Sequence, residues 1–120
     1  MNATGTNGYE LPTKIRSIVC AHLGLEVSTI CQPTRRRELV NARQIAMYFI
    51  KQYTQLSLAE IGEYFPHPDH ATVLHSIKKV NNCMDIYRDF RLEMETLDAK
   101  IRSMYNSEFK RYENYDTDKV

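Results

Sequence analysis

The amino-acid sequence predicts an all-α fold, a helix-turn-helix bundle of five to six helices closed by a long C-terminal helix. Three observations carry this. The 120 residues include four Gly and four Pro, too few for the dense turns of a sandwich or barrel. Apolar residues recur at steps of three and four along most of the chain, which is the period of a helix face. A capping sequence and a proline pair divide the middle of the chain into a short helix and a longer one. With 42% hydrophobic residues, this length suits one domain with a single modest core.

Residues 1–11 are rich in Asn, Thr and Gly and are expected to form a disordered lead. From Pro12, the residues Ile15, Ile18, Val19, His22 and Leu23 keep helical spacing and predict a helix over 13–23, with Gly24 placed to end it in a left-handed conformation. His22 lies on the apolar side and is expected to be a partly buried packing residue. A short connection carrying Val27 and Ile30 leads past Pro33 to Thr34-Arg35-Arg36-Arg37. From Leu39 to Thr54, the positions Ala42, Ile45, Ala46, Phe49 and Tyr53 form the stripe of a core-facing helix. Ser57-Leu58-Ala59-Glu60 has the capping-box form, in which Ser and Glu satisfy each other's free backbone donors, so a short helix with Leu58, Ile61 and Phe65 follows.

Pro66-His67-Pro68 breaks the chain, and Asp69 is a natural N-cap for the next helix. About three residues are expected to join the two helices. In the second, Val73, Ile77, Val80 and Met84 form the inner stripe with Leu74 beside them, while Ala71, Thr72, His75, Lys78 and Lys79 fall on the solvent side. The last helix is predicted from Ile86 to Phe109, with a heptad-like stripe of Phe90, Met94, Leu97, Ile101 and Met104. That stripe either packs back on its own domain or forms the seam of a homodimer. The domain is thus expected over 12–105, its helix-turn-helix at 57–84, and a polar tail over 106–120.

Charge is unevenly placed. The overall balance is +1, from 16 basic and 15 acidic residues. The part from Pro33 to Cys83 has seven basic and four acidic side chains, a local +3 against 0 before it and −2 after it. Such a basic middle can bind phosphates although the whole is near neutral. Cys20, Cys31 and Cys83 are widely spaced and include no CxxC, so they predict neither a disulfide framework nor a zinc site, but reduced thiols used in packing. No apolar run approaches the roughly 20 residues of a membrane span, and the start of the chain does not have the pattern of a signal peptide. A cytoplasmic protein is expected. His70 and His75 stand about 140° apart on a helix, a poor arrangement for one metal ion. No catalytic constellation and no cofactor are expected either.

A short helix, a turn and a helix with a polar leading face form the layout whose second helix enters the major groove of DNA, N-terminal residues toward the bases. Asp69, His70, Ala71 and Thr72 occupy that leading turn. Alone, the layout also fits many helical bundles. The blocks ARQIAMY, SLAEIG and DHATVLHSIKKV, in that order over 35–80, are more specific: together they resemble the C-terminal DNA-binding domain of the bacterial replication initiator DnaA. The resemblance extends over residues 10–103.

What this resemblance implies is double-stranded DNA as partner, at a DnaA-box-like site. It places Arg35 of the basic run Arg35, Arg36 and Arg37 in the minor groove, sets Arg43 and Gln44 on phosphates, and directs Asp69, His70 and Thr72 to base edges in the major groove, with Ala71, His75 and Lys79 along the same face. A carboxylate can accept from cytosine N4, and a guanidinium suits a narrow minor groove. Two positions depart from the family pattern. Pro68 stands where the family has an arginine, and Ala71 where it has Ser or Thr, which implies a weaker or altered site preference. Glycines only at 5, 8, 24 and 62 exclude a phosphate-binding loop within these residues, so the implied role in replication control or transcription proceeds without ATP hydrolysis. The rival expectation is a helical protein-interaction module that has lost DNA binding.

Overall fold

The computed structural model describes residues 3–66 and 69–108, with side chains over 11–66 and 69–108. Among them are six helices and no strand: α1 (Ala3–Leu23), α2 (Val27–Ile30), α3 (Arg37–Tyr53), α4 (Leu58–Gly62), α5 (His70–Ile86) and α6 (Arg88–Glu108). None is long and apolar enough to cross a membrane.

The expected all-α bundle is what forms, and α3 is its centre. Leu39, Ala42, Ile45, Ala46, Phe49 and Ile50 are buried along it, and it packs against α1, α2, α4 and α5. A helix so surrounded has apolar residues on most of its circumference, as the run from Ile45 to Ile50 shows. From the far side α6 closes the bundle on α1 and α5. Its stripe residues Met94, Leu97 and Ile101 are buried within the same domain, so these residues of the heptad-like pattern are used for intramolecular packing. Lys14 reaches Glu108 at 2.8 Å, and His22 lies between Lys100 (2.9 Å) and Glu93 (3.4 Å), so the packing expected of His22 includes polar contacts at the α1–α6 seam.

The lead differs from expectation. Helix α1 starts at Ala3 rather than near residue 13, and Leu11 and Pro12, expected at the edge of the lead, are buried within it. Pro12 lies inside this helix, where it has no N–H to give, so one backbone bond of α1 is missing at that turn. At the other end Gly24 adopts a φ of 73°. Its N–H donates to the Ala21 carbonyl (3.2 Å) and that of Leu25 to the Cys20 carbonyl (2.8 Å), the paired closure of a Schellman motif.

Further differences concern local detail. The connection at Val27 is a single helical turn. The connection between α4 and α5 is longer than the expected three residues: α4 ends at Gly62, and Phe65 follows in tighter winding, with its N–H on the Gly62 carbonyl at 3.0 Å. Within α5 the buried residues are Val73, Ser76 and Val80, and Ile77 is half-buried. Cys20 is a packing thiol, as expected, but Cys31 is exposed. His67 and Pro68 lie outside the described residues, as does the tail from Phe109 onward.

Candidate nucleic-acid interface

The helix-turn-helix is set up by two caps. At α4, Ser57 Oγ accepts from the Glu60 N–H (3.1 Å) and Glu60 Oε1 from the Ser57 N–H (2.8 Å), the reciprocal capping box. The bond from the Ser57 N–H first, and then the Ser57 side chain, hold the Glu60 carboxyl below its ordinary pKa. At α5, Asp69 is the N-cap: Oδ1 accepts from the Ala71 N–H at 3.3 Å, and Oδ2 from the Thr72 hydroxyl at 3.4 Å. Its carboxylate therefore terminates the helix and orients Thr72, while its outer lone pairs face solvent.

Burial of Val73, Ser76 and Val80 against the core turns the opposite face of α5 outward. His70, Ala71, Thr72, His75, Lys78 and Lys79 are all exposed there. Leu74 joins them, 41% exposed, although the apolar pattern grouped it with the core. Ala71, Leu74, His75 and Lys78 fall at helical steps of three, four and seven, so they share one outward stripe. The signal that could have found Leu74 is its angular position, since it adjoins Val73 in sequence but faces away from it.

Beside α5 lies a depression lined by Arg35, Arg37 and Gln44 from the basic run and α3, by Lys79 and Cys83 of α5, and by the carboxylates Glu38 and Glu93. The fold thus brings the basic run, separated from Lys79 by some forty residues of sequence, alongside the middle of α5. Gln44 is half-buried there. Arg36 is turned instead to Glu38, with which it forms an exposed ion pair. A backbone hydrogen bond and Arg36 together lower the Glu38 pKa.

Arg43 departs from what the family pattern implied. Only 9% of it is exposed. Its Nε donates to the Ile30 carbonyl and its Nη1 to the Thr34 carbonyl, both at 2.8 Å, and its Nη2 to the Gln32 carbonyl. Burial pushes its pKa down from the ordinary arginine value, with Cys31 opposing, yet a guanidinium so placed stays charged. The group that was to meet a phosphate therefore faces the protein's own backbone.

Residues 12–80 match the family model described as the bacterial DnaA protein helix-turn-helix. This chain belongs to that family. Its DnaA-type segment covers α3, α4 and most of α5, the elements that form the face just described. Among similar proteins, the chromosomal replication initiator protein DnaA of Bacteroides thetaiotaomicron is 41% identical over 88 residues, which are 73% of this chain and 19% of that protein. The DnaA of Bacteroides fragilis is 41% identical over 96 residues, 78% of this chain and 20% of that protein. That of Thermodesulfovibrio yellowstonii is 47% identical over 66 residues, covering 55% and 15%. The chain spans about a fifth of the length of the first two DnaA proteins.

Proposed function

We propose that this protein binds double-stranded DNA with sequence preference, at sites of the DnaA-box type, and acts by occupying them in the control of replication initiation or transcription. The observation that carries this is the outward face of α5: a capped N-terminal turn with His70, Ala71 and Thr72 exposed, flanked across one depression by Arg35, Arg37 and Lys79. A helix of this kind fits a major groove about 12 Å wide, where short polar side chains reach base edges. In this reading His70 and Thr72 donate to or accept from bases, while Ala71 and Leu74 touch thymine methyls. Asp69 contributes through its solvent-facing lone pairs and through the cap. Arg35 enters the adjacent minor groove, and Arg37, Gln44, His75 and Lys79 meet the phosphates. Arg36 supports binding with a smaller share, because Glu38 already offsets its charge. None of these contacts requires nucleotide chemistry.

The test is a mobility shift with a DnaA-box duplex and a scrambled duplex at fixed salt. Preference for the box by at least roughly tenfold is expected, well inside the range of specific over non-specific binding. Equal affinity for both duplexes would overturn the sequence preference, and no shift with either would overturn DNA binding itself.

A further inference from the structure

Between α2 and α3 the chain crosses the surface over residues 31–36 without regular structure, and this crossing carries Arg35. Its own backbone bonds are sparse. The Gln32 N–H donates to the Thr29 carbonyl at 3.2 Å, the Thr34 N–H to the Gln32 carbonyl at 2.8 Å and the Arg36 N–H to Thr34 Oγ1 at 3.3 Å. Pro33 has no N–H to give. Most of its side chains are exposed, so little apolar burial anchors it.

Arg43 supplies what the crossing lacks. From the second turn of α3 it reaches back under the segment and gathers the carbonyls of Ile30, Gln32 and Thr34. The first of these closes α2, where a carbonyl has no partner within the helix. The other two alternate along the chain, so one planar fork of donors converts five residues into a single fixed crossing. Only a guanidinium has that geometry, since a lysine ammonium is a point donor. The last carbonyl held, that of Thr34, belongs to the peptide that leads directly into Arg35.

We propose that Arg43 is a positioning residue for Arg35, fixing through the carbonyls of Ile30, Gln32 and Thr34 where the basic crossing meets the depression beside Lys79. For its effect on DNA this deepens, and rests on, the reading given above. A crossing ordered in the free protein delivers Arg35 without a further loss of chain entropy on binding.

Two measurements test it. In the free protein, Arg43→Gln speeds amide exchange at Gln32, Thr34 and Arg36 by roughly tenfold or more, while the amide of Phe49 in α3 keeps its protection. Arg43→Lys falls between the two and partly rescues the segment. On a DnaA-box duplex, Arg43→Gln weakens binding by about tenfold, and Arg35→Ala in that background then adds less than about twofold, because the two losses are one. His70→Ala in the same background adds its full cost. The proposal is overturned by unchanged exchange at the three amides. It is equally overturned if the losses from Arg43→Gln and Arg35→Ala add, with Arg43→Gln lowering the salt slope by about one unit in the Arg35→Ala background, the mark of a direct phosphate contact. Should Arg43→Gln fail to fold, Arg43→Lys carries both measurements. If the unaltered protein ignores the box, the DNA-binding reading and the role toward Arg35 both fall, whereas the exchange data still decide whether the clamp exists.

Discussion

At Gly24, with its positive φ, and at Asp69, with its side-chain cap, single residues decide where helices stop and start. A Cβ at Gly24 would meet no atom within 4 Å, so Gly24→Ala is penalised only by the left-handed backbone, by about 1 kcal/mol. Urea unfolding measures this, and a loss below about a third of that figure contradicts it. Asp69→Ala removes the cap and is expected to cost about 1 kcal/mol, whereas Asp69→Asn keeps most of it. If both substitutions destabilise alike, Asp69 serves through its charge rather than through the cap bonds. The same scale shows what spacing hides. Arg43 reads as one more cation in a basic stretch, and nothing in its neighbours reveals that three carbonyls from residues 30–34 will close around it.

Helices α4 and α6 illustrate two ways of holding an element. The five residues of α4 are too short to be stable alone, and the capping box supports them through an ionised Glu60. Because the folded pKa of Glu60 is lowered, its contribution is complete above the ordinary glutamate value of about 4.3 and is lost as pH falls through the lowered folded value. Glu38, lowered in the same direction, adds to that acid sensitivity. Stability is thus expected to decline on acidification below about pH 4.3, and less steeply in Glu60→Gln; identical pH profiles for the two proteins would remove Glu60 from the account. In α6, packing replaces capping. Leu97→Ala is expected to cost about 2–5 kcal/mol as a buried truncation, and the solvent-facing Leu92→Ala less than about 0.5. If Met94, Leu97 and Ile101 serve their own domain, the loss from Leu97→Ala is independent of protein concentration. A loss that grows on dilution points to a dimer seam.

Over the whole molecule the near-neutral total charge conceals an uneven one, and of the seven cations between Pro33 and Cys83, Arg35, Arg37 and Lys79 share the depression beside α5. DNA binding is therefore expected to weaken steeply with salt, and Lys79→Ala to reduce the slope of log K against log salt by about one unit while leaving box preference intact. His70→Ala is expected to do the reverse, keeping the slope and relaxing the preference. Titrations of both variants on box and scrambled duplexes at several salt concentrations separate the two roles, and a single shared pattern would dissolve the division of the face into reading and anchoring residues.

The all-α class, most helix boundaries and the caps at Ser57, Asp69 and Gly24 were determined by the sequence itself, because each depends on residues within one or two turns of each other. So was the outward face of α5, since period alone separates Val73 and Val80 from Thr72 and Lys79. Only the tertiary structure decided that the α6 stripe folds onto α1 and α5, that Leu11 and Pro12 are buried within a helix beginning at Ala3, and that Arg43 holds the basic crossing rather than facing solvent. Each of these turns on which surface a side chain finds when distant segments meet. That is settled by burial and by the need of buried carbonyls and guanidinium N–H groups for partners, neither of which local spacing encodes.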